Sequence, residues 1–167
     1  MTFFTLIGYA QFPEGFEGTT FPPPGWAFFD NGVGSFQWIT NTGFSPFAGA
    51  RTARINGQGV PAGSPPGTTN VDWLVSPQIV VPANGQVRFY ARKTQGGNLG
   101  SRHSIRVSTT SQTDVTTFTT VQSWTETDFS PINWEQKVVA LTPGANVFIA
   151  FVMENNGGDR WLIDQVK

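Results

Sequence analysis

The run from Val71 to Pro82, VDWLVSPQIVVP, constrains the fold more than any other part of the chain. Its β-branched and aromatic residues favour the pleated, half-buried surface of a sheet. Pro77 and Pro82 punctuate it, so it reads as a strand, a proline-marked irregularity and a short second strand. Beyond an Asn84-Gly85 turn, Val87-Arg88-Phe89-Tyr90-Ala91-Arg92 alternates with period 2, the signature of a strand with one buried face. The centre of the protein is therefore β-sheet.

The same pattern continues on both sides. Short strands are predicted at 26–29, 36–40, 50–56, 103–109, 116–124, 134–141, 147–153 and 161–166. Gly, Pro, Ser, Thr and Asn fill the intervals, most densely at 57–70 and 95–101. No segment sustains a period of 3.6 with caps, so any helix is one or two turns long. About ten short strands with frequent turns imply an all-β sandwich of two antiparallel sheets, most simply a jelly roll.

Composition agrees and removes several classes of function. With 167 residues the chain suits one domain with a hydrophobic core. Charged residues are 13 %, well under the usual share of about 25 %. The ten basic residues are scattered and the net charge is −1, so nucleic acid and anionic membrane are not expected as partners. There is no cysteine, hence no disulfide framework and no thiolate chemistry. A lone histidine excludes zinc sites built on several His or Cys ligands.

The chain divides into residues 1–11 and a single domain over 12–167. Residues 1–11, MTFFTLIGYAQ, are far too short to span a bilayer. They read either as the tail of an export signal or as a retained β-arm. In the second case Phe3, Phe4, Leu6, Ile7 and Tyr9 would dock on the protein's own sandwich or on a neighbouring subunit.

The order of local motifs carries a family resemblance. Gly15-Phe16-Glu17-Gly18 precedes Phe21-Pro22-Pro23-Pro24-Gly25-Trp26 and Phe36-Gln37-Trp38. Asp72-Trp73-Leu74-Val75-Ser76-Pro77 and Val87-Arg88-Phe89-Tyr90-Ala91 follow, then Val107-Ser108-Thr109-Thr110, Trp134, Val147-Phe148-Ile149-Ala150-Phe151 and Leu162-Ile163-Asp164. Over Phe12 to Lys167 this resembles a cleaved-adhesin or choice-of-anchor J domain, related in architecture to MAM-like and galactose-binding-like jelly rolls. The resemblance implies a bacterial surface or secreted module that binds without catalysing, often with structural calcium. Where the family often has an Asp-x-Asp-Gly loop this chain has Asp30-Asn31-Gly32, and where it often has paired acids this chain has Asp164-Gln165. Both departures remove carboxylates.

Calcium takes six to eight oxygen ligands. If the first and last strands lie side by side, Glu17 and Asp164 meet, and Asp30 and Asn31 could add oxygens from an adjoining loop. The plainer reading is that Glu17 and Asp164 hydrogen-bond backbone at the sheet end. For a ligand, Trp124 and Trp134 flank a polar loop and could offer a platform for sugar C–H faces, with Trp38 as a further candidate ring. Arg51 and Arg54 could add polar recognition, as could Arg92 and Arg102, although solvated sheet faces explain arginines equally well. Trp73 and Trp161 lie in apolar strands and are expected in the core. His103 belongs to no nucleophile motif and is expected at a solvated strand start. Glu126, Asp128 and Glu135 could in principle form a glycosidase pair, but nothing in their setting raises one pKa selectively.

Three roles are thus expected. The first is a non-catalytic module recognising glycan or protein at a cell surface. The second is a structural assembly component, such as a virion decoration, spike or fibre protein docked through its N-terminal arm. A carbohydrate-active enzyme is the third and smallest.

Overall fold

In the computed structural model, residues 12–167 are described. The expected docking arm, Phe3, Phe4, Leu6, Ile7 and Tyr9, lies outside them. The strands are β1 (Ala27–Asp30), β2 (Ile39–Asn41), β3 (Thr52–Ile55), β4 (Asn70–Val75), β5 (Ile79–Val80), β6 (Gln86–Arg92), β7 (Arg102–Ser108), β8 (Thr119–Thr125), β9 (Glu135–Ala140), β10 (Asn146–Asn155) and β11 (Trp161–Asp164). Two one-turn 3-10 segments, Val115–Thr117 and Glu126–Asp128, sit at the start and end of β8. Among the described residues no helix is long and apolar enough to cross a membrane.

Two antiparallel sheets face each other. One runs β1-β4-β10-β7-β8 with β5 beside β10, and the other runs β2-β3-β11-β6-β9. Burial along β6 follows its sequence period. Val87, Phe89 and Ala91 point inward, and Gln86, Arg88, Tyr90 and Arg92 point to the outer face. The strand predicted at 36–40 starts only at Ile39, because the Ser35 and Phe36 N–H groups donate to the Gln58 side chain instead of a neighbouring strand.

Between the sheets lies a large aromatic core with Trp161 at its centre. Its ring is 4.8 Å from His103, 5.5 Å from Trp38, 6.0 Å from Phe129 and 6.3 Å from Phe151, centroid to centroid. The first sheet is apolar on both faces. Trp73, Val75, Ala150 and Val152 form a second cluster on its outer face, covered by Phe29, Phe118 and Phe148. That explains why β4 and β10 read as nearly continuous apolar runs and do not alternate.

Two sequence expectations are corrected here. His103 is not a solvated strand-start residue. It is 1 % exposed and packs between Trp161 and Phe129, with both ring nitrogens unpartnered. Desolvation pushes its pKa down to about 3, so it stays neutral. Trp38 is not a platform ring either. It is 1 % exposed, packed at a tilt against Trp161, and its indole N–H points at the Asp72 carbonyl.

Candidate functional site

The outer face of the β2-β3-β11-β6-β9 sheet carries the densest set of recognition side chains. Ile39 is opposite Arg54, Arg54 is opposite Leu162, and Leu162 is opposite Arg92. Cross-strand partners share a face, so these four side chains form a line across four strands. Trp134, just before β9, extends the line, with the Arg92 guanidinium 5.5 Å from its ring centroid. Leu162, mid-line, is fully buried beneath its neighbours.

The loop between β2 and β3 folds over this line. The Phe44 ring lies between two guanidinium groups, 5.4 Å from Arg54 and 5.3 Å from Arg160. Phe47 stacks on Tyr90 and meets Trp134 edge-on at 6.4 Å. The Trp134 indole N–H donates to the Ser45 carbonyl at 3.0 Å, which fixes the ring relative to the loop. Phe47 keeps 41 % of its surface exposed. Beside Arg160 a depression of 300 Å³ is lined by Phe36, Asn56, Gly57, Gln95 and Gly158, and the Asn56 carbonyl oxygen has no hydrogen-bond partner. This volume is at the small end of the range for ligand pockets.

Of the candidate ligand-binding residues, Trp134 and Arg54 come together on this face. Arg51 is half-buried at the start of β3 and gives its backbone N–H to Glu17. Trp124 is half-buried on the other sheet, packed on Phe89 and Phe129. It borders a cleft of 490 Å³ over β7 and β8 that also includes Arg102, Ser104, Arg106 and Glu154. This cleft is larger, but its Arg106 is already paired with Glu154 and lies over Trp73. Sequence reading did not select Tyr90, Phe44, Phe47 or Arg160. Tyr90 is detectable from the alternation of β6, whereas the loop phenylalanines carry no local signal.

The four residues proposed for calcium separate into two pairs. Glu17 accepts the Ala50 and Arg51 backbone N–H groups, and Asp164 accepts those of Phe47 and Ala48. Both carboxylates therefore clasp one turn, which contains Gly49 in a left-handed conformation where a Cβ would run into Glu17. Burial, helped by the charge of Glu17, raises the Asp164 pKa to about 6 against the pull of its backbone hydrogen bonds. Oxygens of both carboxylates are thus met by backbone N–H donors of the turn. Asp30 and Asn31 do not belong to this set. Asp30 is opposite Asp72 on the other sheet, and the Asn31 side chain accepts the Trp73 indole N–H at 2.7 Å. Among the described residues no three His, Cys, Asp or Glu side chains gather as a metal site.

The carboxylates considered for glycoside hydrolysis are held in other tasks. Glu126 is fully buried and accepts the backbone N–H groups of Leu99, Ser101 and Asp159. Burial opposes its ionisation, but these hydrogen bonds prevail and hold its pKa below the usual range. Asp128 accepts the Thr125 N–H and hydroxyl, which lower its pKa, and Glu135 pairs with Lys137 at 3.0 Å. A general acid for this chemistry needs a raised pKa.

No family model matches the sequence, and no curated protein sequence matches it. Solved structures do. The K2 cleaved adhesin domain of Lys-gingipain superposes with a TM-score of 0.70 at 18 % identity, over 92 % of this chain and 94 % of that one. The K1 cleaved adhesin domain of Lys-gingipain from Porphyromonas gingivalis gives 0.68 at 19 % identity, with the same coverage of both chains. TmCBM61, in complex with β-1,4-galactotriose, gives 0.59 at 14 % identity, covering 91 % of each chain. The chain thus has the jelly-roll fold of cleaved adhesin domains, as its sequence motifs imply, and shares it with carbohydrate-binding modules.

Proposed function

We propose that this chain is a non-catalytic, extracellular or cell-surface binding module that recognises a glycan across the outer face of the β2-β3-β11-β6-β9 sheet. The supporting observation is the line Ile39, Arg54, Leu162, Arg92 and Trp134, roofed by Phe44 and Phe47. Leu162 is covered at mid-line, so sugar rings would run along the exposed edge formed by Phe47 and the flanking strands, whose spacing of about 4.8 Å leaves room for several rings. Aromatic rings there would pack on sugar C–H faces while guanidinium groups donate to hydroxyl oxygens. Calcium at Glu17 and Asp164 would offset their mutual repulsion and brace the turn carrying the aromatic loop; it has no part in ligand contact. Binding to an immobilised glycan panel tests the reading. Trp134→Ala is expected to weaken binding to the panel's best glycan by about tenfold, the scale of one lost stacking contact, with thermal stability nearly unchanged. Absence of binding to every glycan, or full binding by the variant, would contradict it.

A further inference from the structure

Three cations of this face make no direct ion pair among the described residues. Arg54, Arg92 and Arg160 all lie on it, and none has a carboxylate within ion-pair distance among the described residues. Each guanidinium is held by a neutral acceptor. Arg54 donates to the Asn41 side chain at 3.3 Å, Arg92 to the Ile132 carbonyl at 3.1 Å, and Arg160 to the Thr94 hydroxyl at 3.2 Å. The Arg54 and Arg92 Nε–H groups are out of solvent with no partner.

Arg54 and Arg160 both approach the Phe44 ring, which brings two positive charges near one another. Burial first, and the Arg160 charge second, press the Arg54 pKa below its ordinary value. A guanidinium does not escape by losing its proton. The ring contacts leave the charge in place. The acids on and beside this face, Asp164 opposite Tyr90 among them, accept from backbone and hydroxyl donors and make no direct pair with these guanidinium groups. Asp164 and Glu17 hold the 47–51 turn, and Asp159 accepts from Thr94, Gln95 and the Arg160 backbone.

We infer that the ligand of this face is an acidic glycan, whose anionic groups fall between Arg54, Arg92 and Arg160. Planar guanidinium groups pair in a two-pronged way with carboxylate and sulfate oxygens, and such charge-assisted bonds are about twice as strong as neutral ones. Arg54 and Arg92 are two strands apart, roughly 10 Å, so successive charged units of one chain can meet both. This inference rests on the glycan-binding reading above and narrows it to a substrate class.

Calorimetric titration of the full chain with three probes tests it: a galacturonate oligosaccharide, a sulfated galactan oligosaccharide, and neutral β-1,4-galactotriose. The two anionic probes tell carboxylate from sulfate as the source of charge. At low ionic strength at least one anionic probe is expected to bind about tenfold or more tighter than the neutral one, with the gap closing at high salt. Arg54→Gln, Arg92→Gln and Arg160→Gln should each weaken that probe about five- to tenfold more than they weaken the neutral probe, so that the anionic preference narrows. Arg92→Lys, which keeps the charge without the fork, should fall in between. A neutral probe that binds as well as the anionic ones overturns the charge inference and leaves the glycan-binding reading standing. Failure of all three probes overturns the acidic-glycan inference, while the glycan panel decides the wider reading, and anionic binding unaffected by the three glutamines overturns the assignment to these arginines.

Discussion

Asp72 is a carboxylic acid inside an aromatic core. It is 1 % exposed, one of its side-chain oxygens has no partner, and Asp30 is directly opposite it on β1. Desolvation first, then the Asp30 charge, raise its pKa to about 7 against the pull of Asn155. An unfolded aspartate titrates near 4, so between about pH 4 and pH 7 the folded protein holds a proton that the unfolded chain has released. Asp72 therefore adds stability below that window and loses the contribution as pH rises through 7. His103 acts in the opposite sense: below about pH 6.5 the unfolded histidine gains a proton that the buried ring refuses down to about pH 3. Between pH 6.5 and 8 the acid dominates. Asp72→Asn is expected to stabilise the protein at pH 8 by about 1–3 kcal/mol and to change little at pH 4, read by thermal unfolding at both values. Destabilisation at pH 8 would contradict this. The burial of these residues was not legible in the sequence. Ser104, Arg106 and Ser108 around His103 suggest a solvated strand, and the rings that enclose it come from Phe129 and Trp161, far away in the chain.

The strands were legible wherever local period and turn signals coincide, as in β6 after Asn84-Gly85 and in β10 after Pro143-Gly144. β2 was legible in place but not in length, because the Gln58 side chain takes the backbone donors before it. The two ends of the 12–167 domain meet, which the sequence offered only as a possibility: Glu14 and Val166 exchange two backbone hydrogen bonds of 2.8 Å, and Glu17 and Asp164 reach the same turn. Phe16 and Gln165, beside this bridge, are non-glycine residues at φ 58° and 49°. Such residues are uncommon and their conformation is held by surrounding structure. If calcium braces this junction, the thermal midpoint should be several degrees higher in excess calcium than in chelator, and Asp164→Asn should abolish the difference. Equal midpoints in calcium and chelator would remove calcium from the account.

At the scale of the molecule the two sheets differ in what they leave open. The outer face of the other sheet is closed over β4 and β10 by Trp73, Phe29, Phe118 and Phe148, and opens at the β7–β8 cleft, where Arg106 is already paired with Glu154. The opposite outer face carries aromatic rings alternating with unpaired guanidinium groups. Trp134 and Arg54 were legible as candidates because a tryptophan beside a polar loop and an arginine in a short strand are local features. Their convergence with Phe44, Phe47 and Arg160 is set by a loop folding onto a sheet, which no local pattern encodes. The central claim is that this face, and no other, meets the ligand. It is tested most directly by recording nitrogen–proton NMR spectra during titration with whichever oligosaccharide binds best. The account predicts shifts at the Trp134 indole N–H, at the Arg54 and Arg92 Nε–H groups and along β11. Shifts confined to Arg102, Arg106 and Ser123 in the β7–β8 cleft would contradict it.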